Sequence, residues 1–199
     1  MGLPILLASG SAIRAELLKR AGVSFEIAKP RVDEDMVREA LQAEGESARN
    51  IADALAQLKS ERVGMKHPEA LTIGCDQVLA CEGRIYSKPE TPDQAMEQIR
   101  ALSGKRHSLY TAAVVHEGGR PVWRKLSEVK MTMRELSPAY LESYVARNWP
   151  DISWSCGAYQ VEAEGSRLFS RIEGDYFAIL GLPLLELLDY LILRGALEA

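Results

Sequence analysis

The chain has 199 residues, of which 47% are hydrophobic, so it is long enough to bury the core of one domain. Its 24 basic and 28 acidic residues give a net charge of -4 without a long run of either sign, which argues against a nucleic acid polymer as partner. The three cysteines lack zinc-site spacing, and no apolar stretch reaches the ~20 residues of a membrane span. We therefore expect a cytoplasmic protein with no membrane partner.

The first predicted elements are a strand, a loop of small residues and a helix. The segment LPILLAS predicts a buried strand, and AIRAELLKRAG predicts a helix that Ser11 caps and Gly22 ends. The free N–H groups at the start of that helix, with the hydroxyls of Ser9 and Ser11, favour an anion, and Arg14 can direct two N–H groups at a phosphate. The pattern alone also fits a simple helix cap followed by a surface arginine.

Strands and helices alternate along the rest of the chain. Further strands are predicted in SFEIA, in ALTIGCDQVLACEG with a break at Gly74, in the two halves of RHSLYTAAVVHEGGRPVWRKLSEVKMTMREL, and in SCGAYQVEA. Further helices are predicted in ESARNIADALAQLKSERVGMK, PDQAMEQIRALSGK, SPAYLESYVARN and LPLLELLDYLILRGAL. Pro89 and Pro92 are expected to keep GRIYSKPETP irregular. The pattern predicts an α/β fold with a mixed sheet.

Several charged residues interrupt these elements. Asp76 follows an apolar run, where a carboxylate needs a partner, a metal or a raised pKa, although a purely structural role fits equally well. Glu34 belongs to the acidic cluster RVDED, which by itself predicts a solvated surface, and Lys59 and Lys88 taken singly fit surface positions.

The histidines give little indication of chemistry. His107 at the start of a predicted strand fits a hydrogen-bonded structural residue better than a catalytic base, and His67 and His116 are expected in polar loops. Neither a Walker loop nor a GxGxxG follows any predicted strand.

Eight segments together resemble one known family, in order and over nearly the whole chain. They are LASGSAIRAELL, VDE, ALAQLKSE, IGCDQVL, GRIYSKP, LSGKRHSLYT, CGAYQVE and GLPLLELL, and they resemble the Maf family, once described as septum formation inhibitors. The resemblance implies a nucleoside triphosphate pyrophosphatase that cuts between the α- and β-phosphates with Mg²⁺ or Mn²⁺. It also implies a homodimer and a single domain over residues 1–199, with two lobes around a deep cleft as in the inosine triphosphate pyrophosphatases.

The resemblance assigns roles to individual residues. Ser9, Ser11 and Arg14 match the family's phosphate-binding loop, and the catalytic residues of the cleft match Glu34, Lys59, Asp76 and Lys88. Asp76 and Glu34 are the implied metal-associated carboxylates, with Asp76 favoured as the base. Because phosphoanhydride hydrolysis needs an activated water and neutralised phosphate charge, these residue types form a sufficient set.

This chain departs from the commonest family pattern at two places. Ala12 and Ile13 replace the proline and first arginine of SxSPRR, which leaves less positive charge at the loop. Gln77 and Glu162 match members that act on 7-methylguanosine triphosphate, and a carboxylate suits the N1–H and amino edge of guanine. The alternatives are a thymidine and uridine triphosphate pyrophosphatase, or a non-catalytic nucleotide-binding regulator of cell division.

Overall fold

The computed structural model describes residues 3–198, which form a mixed α/β fold as predicted. The strands are β1 (Ile5–Ala8), β2 (Glu26–Ile27), β3 (Leu71–Cys81), β4 (Arg84–Tyr86), β5 (Arg106–Glu117), β6 (Arg120–Met133) and β7 (Phe169–Glu173). The α-helices are α1 (Ala12–Arg20), α2 (Glu34–Ala43), α3 (Ala48–Gly64), α4 (Pro92–Leu102), α5 (Pro138–Asn148), α6 (Tyr176–Ile179) and α7 (Leu184–Leu193). Short 3₁₀ helices cover Asp151–Trp154 and Glu164–Leu168.

The strands form one sheet with both parallel and antiparallel pairs. Its order is β2-β1-β3-β5-β6-β7, and β4 pairs with β3 outside that path. β1 runs parallel to β2 and to β3, whereas the β3–β4 and β6–β7 pairs are antiparallel. Gly118 and Gly119, both with positive φ, join β5 to β6 as a two-residue hairpin turn requires.

The chain divides into two compact units. Among the described residues, the first unit takes in residues 3–77, 111–127 and 175–198, and the second takes in Val78–Tyr110 and Glu128–Gly174. Three strands, β3, β5 and β6, are shared by the two units, with one part of each strand in the first unit and the other part in the second. No helix within residues 3–198 is long and apolar enough to cross a membrane.

The first unit has three layers. Alternate residues of its strands, including Ile73 and Val115, pack against leucines of α1 and α7 in one buried apolar cluster. Because successive residues of a strand point to opposite faces, Thr72, Gly74 and Asp76 of β3 face the other way, toward α3. The first unit therefore carries Thr72 and Asp76 on the α3 side of the sheet.

The second unit is organised around a buried aromatic cluster. The phenol of Tyr159 stacks edge-on against Phe169, and its hydroxyl lies 2.8 Å from His107 Nε2. Both His107 and Tyr159 are almost completely buried, and burial lowers the pKa of His107 to about 4. His107 thus has the structural role that the sequence indicated.

Three predicted elements need correction in the middle and late chain. β3 is not broken at Gly74 but runs through it to Cys81, and β4 occupies residues that the prolines were expected to keep irregular. SCGAYQVEA is not a strand, because Gly157 and Ala158 both adopt positive φ (81 and 57) and turn the chain. The strand of that region is β7, which starts at Phe169.

α2 was not predicted, although its start carries recognisable signals. The Asp33 carboxylate accepts a hydrogen bond from Met36 N at 3.0 Å and so caps the helix. Glu34 and Asp35 then occupy its first turn, where negative charge is favoured by the helix dipole. The cluster RVDED therefore contains the start of α2, and the helix fixes the direction in which the side chain of Glu34 points.

Candidate active site

A buried lysine joins two carboxylates in the first unit. Lys59 Nζ lies 2.7 Å from Glu34 Oε2 and 2.7 Å from Asp76 Oδ1. The side chains of Lys59 and Asp76 are each only 5% exposed, whereas that of Glu34 is 41% exposed. The sequence pattern taken residue by residue predicted a surface position for Lys59, and that prediction is wrong. Glu34 is partly exposed and contacts the lysine from the solvent side.

Asp76 keeps one oxygen without a partner. Oδ2 is buried and has no hydrogen bond from any described residue, while Oδ1 accepts from Lys59. A buried carboxylate oxygen without a donor costs free energy unless a cation or a water uses it. The open oxygen therefore marks the place where this site can hold a ligand or activate water.

The carboxylates fit a magnesium or manganese ion only as a partial ligand set. No group of three or more His, Cys, Asp or Glu side chains within residues 3–198 is arranged to hold a metal. Mg²⁺, however, commonly uses one or two carboxylates and takes its other ligands from water and substrate phosphates. Asp76 Oδ2 and the half-exposed Glu34 can supply those one or two oxygens.

Gly74 explains how α3 comes close enough for this contact. A Cβ on Gly74 would lie 2.2 Å from the carbonyl oxygen of Ala56 and 2.5 Å from Ser60 N, so only glycine fits there. The backbone of α3 therefore rests directly on β3. Asp76 lies two residues further along the same face, and Lys59, which belongs to the turn of α3 between Ala56 and Ser60, reaches it with its long side chain.

The loop between β1 and α1 has the geometry of a capped helix start. The hydroxyl of Ser9 accepts from Ser11 N at 3.2 Å, and the Ser11 hydroxyl accepts from Arg14 N at 3.5 Å. The exposed side chain of Lys29 passes over the loop, since a Cβ on Gly10 would meet its Cε at 3.7 Å. Lys29 follows β2, which runs parallel to β1, so the two strand ends lie at the same edge of the sheet, a pairing that was not predicted.

Arg14 ties three parts of the first unit together. Its Nε donates to the carbonyl of Gly181 at 2.7 Å, and its Nη1 donates to the carbonyl of Cys75 at 3.1 Å and to Ser9 Oγ at 3.3 Å. Gly181 has φ +94, and a Cβ there would lie 2.9 Å from Arg14 Nε. The guanidinium thus fixes the loop relative to β3 and to the segment before α7.

Gln77 also makes protein contacts. Its Nε2 lies 2.9 Å from Thr111 Oγ1, 2.9 Å from the carbonyl of Ala178 and 3.0 Å from that of Ile179. The amide nitrogen is therefore engaged by β5 and the end of α6. Only the amide oxygen of Gln77 is left for a ligand.

Cys75 lies next to Asp76 but is not a nucleophile candidate. Burial raises the pKa of its thiol to about 11, although Arg14 and Lys59 lower it. The thiol is accordingly protonated near neutral pH, and only a thiolate attacks phosphorus or carbon efficiently.

Lys88 and Glu162 belong to the second unit. Lys88 is exposed between β4 and α4, and Glu162 is exposed in the turn that precedes the second 3₁₀ helix. The neighbouring Glu164 is held by Arg147, which donates to Oε1 at 2.6 Å and lowers the pKa of Glu164 to about 2. Glu164 is therefore held in an ion pair with α5, whereas Glu162 is exposed to solvent.

One residue of the first unit was missed altogether. His116, expected in a polar loop, lies inside β5 and is 1% exposed, with Nδ1 2.8 Å from Ser60 Oγ. Burial lowers its pKa, so the ring is neutral at ordinary pH. The alternation of β5 could have placed it, since Val115 and His116 must face opposite sides.

The sequence of this chain is similar to those of known proteins over nearly its whole length. The sequence signature of the Maf-like protein family matches residues 4–193. A relative from Ruegeria pomeroyi is 52% identical over the full length of both chains, and one from Roseobacter denitrificans is 53% identical over 98% of each. A Caulobacter vibrioides relative is 47% identical over 98% of this chain and 97% of its own, and all three are named nucleoside triphosphate pyrophosphatase. The chain therefore belongs to the Maf-like protein family.

Proposed function

We propose that this chain is a nucleoside triphosphate pyrophosphatase that releases a nucleoside monophosphate and pyrophosphate. The observation that carries the proposal is the buried Asp76, whose Oδ1 is held by Lys59 and whose Oδ2 is open. A carboxylate repels the phosphates of a nucleotide unless it holds a cation or activates a water, so a buried carboxylate with an open oxygen favours turnover over simple binding. The names of the relatives agree with this reading.

In the proposed reaction Asp76 orients a water molecule and takes its proton. The water oxygen forms a bond to the α-phosphorus as the bond to the oxygen bridging toward the β-phosphorus breaks, and pyrophosphate leaves with that oxygen. Lys59, held between the two carboxylates, offsets the negative charge that grows on the phosphates. We assign Lys88 to the same charge compensation on residue type alone.

A divalent ion fits the same carboxylates. Asp76 Oδ2 and Glu34 would hold Mg²⁺ or Mn²⁺, and the ion would supply Lewis-acid stabilisation of phosphate charge. Removal of the ion with a chelator is expected to abolish pyrophosphate release without unfolding the protein, because Lys59 still compensates both carboxylates.

The loop from Ser9 to Ser11 is the proposed phosphate cradle. The first N–H groups of α1 and the two hydroxyls suit an anion, and Lys29 supplies the positive charge that Ala12 and Ile13 do not. Lys29→Met is expected to raise KM about three- to fivefold and to leave kcat unchanged, as loss of one exposed cation predicts. Lys19→Met, at the far end of α1, is the matched control and should change neither constant.

The proposed base preference is 7-methylguanosine or another modified guanine. Glu162 can accept from the N1–H and amino edge of guanine, and its exposed carboxylate is not committed to α5 as that of Glu164 is. Gln77 can contribute only its amide oxygen. A thymidine or uridine preference is the alternative within the same reaction.

The deciding experiment measures products with Mg²⁺ or Mn²⁺ from 7-methylguanosine, guanosine, uridine, thymidine and cytidine triphosphates, with Asp76→Asn in parallel. Pyrophosphate release that Asp76→Asn abolishes, while the variant is still folded at the assay temperature, supports the proposal. Inorganic phosphate instead of pyrophosphate contradicts it, and nucleotide binding without release favours the regulatory protein. Sedimentation of the same sample tests the proposed homodimer.

A further inference from the structure

The turn of α3 that carries Lys59 is anchored to the sheet by a hydrogen bond. Ser60, the next residue, places its hydroxyl 2.8 Å from His116 Nδ1 on β5. Ser60 is 0% exposed and His116 is 1% exposed, so water does not compete for this bond. A hydrogen bond sealed from water in this way is strong and is costly to leave unmade.

Helix α3 is also held by steric contact at this turn and by an ion pair at the turns before it. A Cβ on Gly74 would lie 2.5 Å from Ser60 N, which shows how closely the backbone of α3 packs on β3. The helix therefore cannot move closer to the strand. Arg124 of β6 contacts the preceding turns, donating to Asp53 Oδ2 at 2.6 Å and to Gln57 Oε1 at 2.6 Å. The Ser60 hydroxyl also lies 2.9 Å from the carbonyl oxygen of Gln57 and 3.1 Å from that of Ala56, so its contact with His116 extends to the backbone of α3.

We propose that His116 is a positioning residue for Lys59. Its hydrogen bond to Ser60 fixes the backbone of α3 one residue from Lys59, and thereby fixes the lysine ammonium between Glu34 and Asp76. The inference rests on the proposed function, in which that ammonium compensates phosphate charge. A displacement of about 1 Å at a catalytic group can lower a rate by about a hundredfold.

The imidazole itself takes no part in the chemistry. It is buried against α3, and the charged groups that face it are Glu61 and Arg124. Burial lowers its pKa, so it meets Ser60 as a neutral ring. Its effect on the reaction passes through the position of α3 and not through a proton.

Four variants separate positioning from simple stability. His116→Leu and Ser60→Ala remove the hydrogen bond, whereas His116→Asn keeps a polar atom close to the position of Nδ1. Val115→Ala is the matched control, because its side chain is fully buried on the opposite face of β5, away from α3. Melting temperatures identify the conditions under which all variants are folded.

Two measurements are made on each variant. The first is kcat and KM for pyrophosphate release from the best nucleotide of the panel. The second is the rate at which acetic anhydride acylates Lys59 in the absence of nucleotide, read by peptide mass spectrometry. The second measurement needs no activity, so a failure of the proposed function leaves it interpretable.

We expect His116→Leu and Ser60→Ala to lower kcat about tenfold or more and to raise the acylation rate of Lys59 by a similar factor. His116→Asn should stay within about twofold of the wild type in both measurements, as should Val115→Ala. The inference is overturned if folded His116→Leu and Ser60→Ala keep wild-type kcat and Lys59 protection. It is equally overturned if Val115→Ala reproduces their effects. Absence of pyrophosphate release by the wild type would contradict the proposed function alone.

Discussion

Lys59 and Asp76 form a buried ion pair in which only the lysine has a second partner. Lys59 Nζ lies 2.7 Å from Asp76 Oδ1 and also 2.7 Å from Glu34 Oε2, while Asp76 Oδ2 has no partner among the described residues. The two residues therefore depend on each other unequally. Removing the lysine isolates a buried carboxylate, whereas removing the carboxylate leaves the lysine paired with Glu34.

This asymmetry predicts unequal losses of stability. Lys59→Met should lower the free energy of unfolding by about 3 kcal/mol, because it leaves the charge of Asp76 buried without a cation. Asp76→Asn should cost only about 1 kcal/mol, since Lys59 keeps Glu34. Urea unfolding of both variants and of the double variant measures the difference.

In the double variant the isolated charge is gone, so it should be more stable than Lys59→Met alone. Equal losses for the two single variants would contradict the asymmetry. All three variants are expected to lose at least about a hundredfold in kcat for pyrophosphate release, because the proposed base or the compensating cation is missing.

The contact between α3 and β3 predicts a strong effect of one methyl group. Gly74→Ala should destabilise the protein by more than about 2 kcal/mol, because its Cβ would lie 2.2 Å from a backbone oxygen that cannot rotate away. Gly64→Ala is the matched control on the same interface, where a Cβ would meet that of His116 at 3.1 Å. Thermal unfolding should show a much smaller loss for Gly64→Ala, and a reversed order would contradict this packing.

The helical periodicity of α3 held more information about Lys59 than its residue type. Ile51, Leu55, Lys59 and Val63 follow one another at intervals of four, and all four are buried. A lysine in such an apolar row must have a buried partner, so the spacing predicts an ion pair. Likewise Asp33, three residues before the amide that it caps, is a signal for the start of α2 that the sequence carries but the prediction did not use.

Other contacts could not be predicted, because they join distant parts of the chain. Arg14 and Gly181 are 167 residues apart, and Ser60 and His116 are 56 apart. Periodicity predicts which face of an element is buried, but it does not specify which residue of another element lies opposite. The sequence could not show that Nε and Nη1 of Arg14 donate to the carbonyls of Gly181 and Cys75, and a contact of Arg14 with phosphate stays a prediction.

His107 predicts a pH dependence of stability. Its pKa is lowered to about 4 by burial, so the unfolded chain binds a proton to it more readily, with a pKa near 6.5. The contribution of His107 to the free energy of unfolding is therefore fully present above about pH 6.5. It decreases as the pH falls and is lost below about pH 4, and the total loss is about 3 kcal/mol. His107→Gln, which keeps a polar atom for Tyr159, should remove this component.

Urea unfolding at pH 7 and pH 4, followed by the fluorescence of tryptophans in both units, tests the effect of His107. The difference in unfolding free energy between the two pH values should be about 3 kcal/mol smaller in His107→Gln than in the wild type. An unchanged difference would show that the folded protein protonates His107 as readily as the unfolded chain does.

The substitution Arg14→Lys distinguishes a structural role of Arg14 from a role in binding phosphate. A lysine ammonium cannot reproduce the planar fork that reaches the carbonyls of Gly181 and Cys75 together, so stability should fall by about 2 kcal/mol without any nucleotide present. Arg20→Lys is the matched control, because the ion pair that Arg20 makes with Glu16 is exposed. This substitution should change stability by less than about 0.5 kcal/mol. If Arg14 instead served phosphate alone, the variant would keep its melting temperature and lose only affinity for nucleotide. A loss of stability with a matching loss of kcat would mean that the guanidinium acts on the reaction by holding the Ser9 loop against β3.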